Sequence, residues 1–70
     1  MAESVYKIIE LVGTSTESWE AAARGAVERA SSTLRDLRIA EVEKLDMTVD
    51  KNKVVLYRAK IKLSFKYEEG

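Results

Sequence analysis

Three groups of side-chain oxygens in this chain could meet a hard cation: Asp46, Asp50 with Asn52, and the pair Glu41 and Glu43. Calcium takes roughly six to eight oxygen ligands, usually including several carboxylates. Asp46 and Asp50 stand about 13 Å apart if the chain between them is extended, so one straight strand cannot bring both to one ion. Asp50 and Asn52 are closer, but Lys51 and Lys53 flank them and weaken the local negative potential. The spacing does not match an EF-hand loop. A metal centre drawn from Asp46, Glu43 and Asp50 therefore needs symmetry copies of Asp46 or Glu43 from other subunits. The alternative is that these carboxylates are solvated or held in ion pairs.

Arg58, Lys60, Lys62 and Lys66 recur at alternate positions and form a basic stripe. Single-strand nucleic-acid binders stack bases on aromatics within such a stripe. Here Tyr57 and Tyr67 fall on the other parity, which argues against nucleic acid. The stripe reads as a solvated or cavity-lining face that pairs with Glu10, Glu41 and Glu43. Trp19, the only tryptophan, lies on the apolar stripe of a helical pattern and is expected to pack in the core or between subunits. With no histidine and no cysteine, the commonest general base, metal ligand and thiolate chemistry are missing. There is no Gly-x-Ser-x-Gly elbow, and nothing places Glu41 and Glu43 in a dry pocket that would separate their roles. The chain reads as a non-enzyme.

The 70 residues make one domain, 1–70, with 12 basic and 12 acidic side chains that cancel. No net field directs it toward nucleic acid or anionic lipid. A domain this small, without disulfides or zinc ligands, tends to gain stability by oligomerising. No apolar run reaches the length of a membrane span or a signal core, and Met1-Ala2-Glu3-Ser4 leads into strand pattern. No membrane association and a cytoplasmic setting are expected.

The elements that must position these groups follow from periodicity. Val5 to Val12 reads as a strand apolar on both faces, ended by Gly13. Thr14 to Ser18 offers N-caps, and Thr14 with Glu17 fits a capping box. Trp19, Ala22, Ala23, Ala26, Val27, Ala30 and Leu34 then follow helical spacing, predicting a helix to about Leu34 or Asp36. Arg38 to Val49 reads as a second strand whose parity slips, with a bulge near Glu43 and Lys44. Asp50 to Lys53 is a turn, giving an antiparallel hairpin. Val54 to Tyr67 alternates throughout, with Val55, Tyr57, Ala59, Ile61, Leu63 and Phe65 on one face. Its fourteen residues span about 46 Å, whereas a globule of this length has a radius of gyration of about 11 Å, roughly 28 Å across. The expected fold is α+β in the order β-α-β-β, a three-stranded antiparallel sheet wrapped on one helix. Part of the long strand's apolar face is expected to lie against another chain.

The opening from Val5 through Gly13-Thr14-Ser15, the alanine-rich helix and the ending Leu63-Ser64-Phe65-Lys66-Tyr67-Glu68 resemble the dodecin family. That resemblance covers nearly the whole chain. It implies a subunit of a hollow homododecamer that holds a small ligand, in many members a flavin kept for storage. Ser18-Trp19-Glu20, Arg38-Ile39-Ala40 and Asp46-Met47 resemble a calcium dodecin branch that lacks the flavin-stacking tryptophan.

By that resemblance the flavin-binding positions are Ile39, where a tryptophan would stack, and Arg58, where a glutamine would meet the pyrimidine edge. Isoleucine has no π-face. Arginine only donates, so it cannot reproduce an amide's mixed pattern. Asp46 stands where some members carry a basic residue for a phosphate. These departures argue against the usual flavin sandwich and leave calcium as a candidate ion. A flavin site of altered design, or an assembly with no specific ligand, are the other readings.

Overall fold

A computed structural model describes residues 3–67. Met1 and Ala2, and Glu68 of the family-like ending, lie outside those residues. Strand β1 (Tyr6–Ser15), helix α1 (Trp19–Ala30), strand β2 (Leu37–Asp50) and strand β3 (Lys53–Lys66) follow in the expected order. All pairings are antiparallel and the sheet order is β1-β3-β2. The long third strand is therefore the central one. It is buried most deeply, with Ala59, Ile61 and Leu63 almost fully excluded from solvent.

The length argument holds. The Cα radius of gyration is 14.5 Å and the principal extents are 54 × 20 × 15 Å, against about 11 Å for a sphere-like chain of this size. Two 14-residue strands extend beyond a 12-residue helix, so α1 covers only part of the sheet.

Alanine lets α1 sit low on the sheet. Ala22 is buried against Ala59 and Ile61, with Leu11, Ala23, Ala26 and Val27 around them. The closest approach is at Gly13. A Cβ there would run into the Ala22 carbonyl oxygen and come within 3.1 Å of the Ala26 Cβ. Gly13 does not end the first strand as its residue type suggested. It sits inside β1 opposite Ala59, and its missing side chain is what admits the helix. At Gly25, by contrast, an added Cβ would meet nothing within 4 Å.

Two further boundaries differ from the periodicity. The strand continues through Ser15, so Thr14 is paired with Arg58 and cannot cap. Ser18 caps instead, its extended backbone (φ −167°, ψ 163°) letting Oγ accept from Ala21 N at 3.0 Å. The helix also stops at Ala30 rather than near Leu34. The hydroxyls of Ser31 and Ser32 donate to Glu28 O and Arg29 O at 2.7 Å, competing with continuation of the helical ladder.

The bulge is where parity placed it. Val42 pairs with Ile61 and Lys44 with Lys60, leaving Glu43 as the extra residue. A one-residue slip exchanges the faces of a strand, so Leu45 and Met47 join Ala40 and Val42 on the helix side. The β2–β3 turn has positive φ at both central residues, Lys51 (52°) and Asn52 (65°), as a two-residue primed turn requires.

Candidate functional site

One sheet face carries α1 and the other is open. The register arranges the open face in rows across β1, β3 and β2: Thr14–Arg58–Asp46, Val12–Lys60–Lys44, Glu10–Lys62–Glu41 and Ile8–Ser64–Ile39. Three rows carry charge, and the fourth places two isoleucines either side of a serine. Alternation alone produces this, since every second residue of the central strand is basic between Arg58 and Lys62.

Arg58 grips Asp46 with two nitrogens, Nε to Oδ1 at 2.7 Å and Nη2 to Oδ2 at 3.1 Å. This is the bidentate fork that guanidinium geometry favours. Those hydrogen bonds are the main reason the Asp46 carboxyl is held below its ordinary 3.8. Desolvation opposes the shift, and the charges of Arg58 and Lys44 add to it. Asp46 in turn raises Arg58, first through the same hydrogen bonds. Lys60 Nζ lies 3.6 Å from Glu10 Oε1, and Lys62 Nζ lies 3.6 Å from Glu43 Oε2. The expected pairing of the basic stripe with Glu10 and Glu43 is thus present. Lys44 faces Lys60 directly, a like-charge juxtaposition that weakens a strand pair. A cavity of about 320 Å³ lies among Val12, Lys44, Asp46, Arg58 and Lys60.

The candidate residues are not all brought together. Asp46 and Arg58 meet, but Glu43 is turned to Lys62, and Asp50 sits at the hairpin end opposite Lys53. Among the described residues, no three acidic groups cluster as a cation site. Within one copy Asp46 is engaged by Arg58 and Glu43 by Lys62, and a carboxylate oxygen that accepts one hydrogen bond keeps lone-pair capacity for an ion. Ile39 is 65% exposed beside Ser64. Ser64 and Arg58 are about 20 Å apart along the extended central strand, so Ile39 and Arg58 of one copy cannot grip one ring system. The aliphatic row Ile8–Ser64–Ile39 offers no aromatic surface for a flavin.

One contact at this site left no mark in the sequence. The Trp19 indole N–H, from the first turn of α1, donates to the Asp46 carbonyl oxygen at 2.9 Å. Its ring meets Tyr57 edge-on, with centroids 5.2 Å apart and planes at 73°. Trp19 thus makes contacts within its own subunit and also lines part of the open helix side.

On the helix side the sheet is incompletely covered. An apolar hollow of about 550 Å³ lies between α1 and β1, lined in part by Ile9, Leu11, Ala26 and Leu34. A second, of about 530 Å³, lies beside β2 among Trp19, Glu20, Ala23, Val42 and Leu45. Among the described residues no helix is long and apolar enough to cross a membrane.

Known proteins share this fold. A curated relative, the calcium dodecin of Mycobacterium tuberculosis, is 49% identical over 63 residues, covering 90% of this chain and 89% of the relative. The crystal structure of a Mycobacterium tuberculosis calcium dodecin, described as having a novel calcium-binding site, superposes with a TM-score of 0.84 at 46% identity, covering 96% of each chain. Dodecin from Streptomyces coelicolor superposes with a TM-score of 0.92 at 37% identity, covering 100% of both chains. The dodecin family model matches residues 5–68. With the fold, the register and these likenesses in agreement, the chain belongs to the dodecin family.

Proposed function

We propose that this chain is the non-enzymatic subunit of a closed homo-oligomeric shell, a homododecamer, that holds or buffers a small ligand or ion on the open sheet face, with calcium as the leading candidate. The observation that carries the assembly is the apolar surface a lone subunit leaves in water. Val42, Leu45 and Met47 line one exposed row of β2 on the helix side, each more than 40% accessible, next to hollows that α1 does not fill. Exposed apolar area on this scale marks an interface, and a 70-residue domain without disulfides has reason to bury it.

Calcium is favoured by the likeness to a relative named for it. The open face carries Glu10, Glu41, Glu43 and Asp46, which could supply oxygens. Because one copy gathers too few of them, the ion is held where copies meet, with Asp46 and Glu43 as the proposed ligands and Asp50 contributing only if another copy brings its hairpin close. The setting is the cytoplasm, and the chain is a single dodecin-like domain.

Calorimetry of the intact shell with calcium tests the ion. Heat at millimolar calcium or below, reduced in both Asp46→Ala and Glu43→Ala, is expected; absence of heat, or heat unchanged in both variants, rejects calcium at these residues. Solution mass tests the shell separately, since a particle near the 7.9 kDa of one chain would overturn it.

A further inference from the structure

The single tryptophan ties the two faces of the sheet together at one residue. Trp19 stands at the start of α1, on the covered face, and its indole N–H donates to the Asp46 carbonyl oxygen. The Asp46 carboxylate leaves the strand on the opposite face and forms the bidentate pair with Arg58. The aromatic contact lies one rung away. Tyr57 neighbours Arg58 on β3 and is in register with Met47, which neighbours Asp46 on β2.

This stretch of β2 needs support. It is an edge strand, and its pairing with β3 is irregular between Val42 and Lys44 and again between Thr48 and Val49. Only Lys44 to Thr48 pairs regularly between those breaks, and Asp46 is its middle residue. Bulges disrupt the ladder and add local twist, so a short segment between two of them is weakly fixed by the ladder alone. A bidentate pair, however, demands a carboxylate placed in the plane of the guanidinium. The indole bond arrives at the centre of that segment from a different element.

We infer that Trp19 is a positioning residue for the Asp46–Arg58 pair, fixing the β2 main chain at Asp46 so that its carboxylate meets the guanidinium on the open face. The charged groups that face Asp46 are Arg58 and Lys60 from β3 and Lys44 from β2 itself, with Val12 of β1 completing the cavity wall. Lys44 and Lys60 can reach a displaced carboxylate, whereas only Arg58 holds it by two hydrogen bonds. Loss of the indole bond therefore loosens the fork without removing the charges around it. The inference bears on the face proposed above to hold a ligand, but its test uses no ligand, so either can fail while the other stands.

The measurement is exchange of the Arg58 Nε proton, which Asp46 Oδ1 accepts, followed by NMR of the intact assembly. Trp19→Phe keeps a ring against Tyr57 and removes the donor. The Arg58 Nε proton is then expected to exchange several-fold faster than in the parent, because a loosened fork opens it to water. Tyr57→Leu removes the ring contact and keeps the donor, and should leave that rate unchanged. A Trp19→Phe assembly of unaltered mass with an unchanged Arg58 Nε exchange rate overturns the inference, as does an equal quickening in Tyr57→Leu. If Trp19→Phe does not fold, Arg58→Gln decides the matter, because a coupling free energy is reciprocal. Exchange of the Trp19 indole proton should then quicken several-fold relative to the parent, and an unchanged rate overturns the inference.

Discussion

Gly13 and Ala22 lie so close that a Cβ on Gly13 would overlap the Ala22 carbonyl oxygen and stand 2.9 Å from its carbonyl carbon. Both obstructing atoms are backbone, inside a helix whose ladder cannot yield locally. Gly13→Ala must push α1 away from Ala59 and Ile61, and overpacking of this kind costs about 1–3 kcal/mol. Gly25→Ala meets open space and should stabilise the helix by roughly 0.5–1 kcal/mol. Denaturant midpoints of the two variants are expected to move in opposite directions. A fall in both would mean that Gly25 is a close contact between copies.

The Asp46–Arg58 pair predicts a particular acid response. The folded carboxyl titrates below 3.8, and the unfolded one at about 3.9. A depressed folded pKa contributes stability that is present above the unfolded value and is lost as pH falls through the folded one. Asp46→Asn should therefore be less stable than the parent at neutral pH and converge on it in the acid region below the lowered pKa. The exposed position of the pair implies that added salt narrows the neutral-pH gap. Unfolding followed from neutral pH to about pH 2 checks this, and parallel curves for parent and variant would exclude the pair as a source of acid lability.

Assembly should fail before the subunit does. Leu45 is about half exposed on the helix side of β2 and lines the hollow beside Trp19, so Leu45→Lys places a charge on the surface proposed to meet another copy without entering the Ala22–Ile61 core. The expected result is a fall in solution mass toward 7.9 kDa with the β-rich circular dichroism retained. The core behaves differently: Ile61→Ala, at a fully buried position of the central strand, should cost about 2–5 kcal/mol and reduce secondary structure along with mass. An unchanged mass for Leu45→Lys would place the interface elsewhere.

These outcomes separate what residue spacing can reveal from what it cannot. The break in parity between Val42 and Leu45 locates the bulge at Glu43, because a strand's two faces are fixed by counting alone. Uninterrupted alternation from Val54 onward likewise reveals the central strand and its basic face. Gly13 misleads because glycine signals both turns and close approaches, and only its position opposite an alanine stripe distinguishes the second. The helix end misleads because Leu34 extends the apolar spacing, while the serine hydroxyls that stop the helix act through hydrogen bonds. The Trp19 bond to Asp46 lies beyond any such reading. Its acceptor is a main-chain oxygen 27 residues away, and every residue type has one.

Ile39 offers a direct test of the expectation that a flavin does not stack on this face. The side chain is 65% exposed, next to the small Ser64 and across from an Ile8 that is 60% exposed, so a larger ring can be placed there without displacing packed atoms. Ile39→Trp supplies the missing π-face, and an aromatic contact contributes about 0.5–1.5 kcal/mol beyond area burial, equivalent to about 2- to 13-fold in affinity. Arg58→Gln supplies an amide that both donates and accepts, and frees Asp46 from its fork. Riboflavin fluorescence should be quenched by the double variant, weakly by Ile39→Trp alone and not by Arg58→Gln alone, which still lacks a stacking surface. The assembly is needed for this gain, since the two positions of one copy are about 20 Å apart along the sheet and must be joined through neighbours. Combining Leu45→Lys with the double variant should therefore abolish the quenching. Stoichiometric quenching by the unsubstituted protein would show that Ile39 and Arg58 are no obstacle, and would return flavin to the front of the candidate ligands.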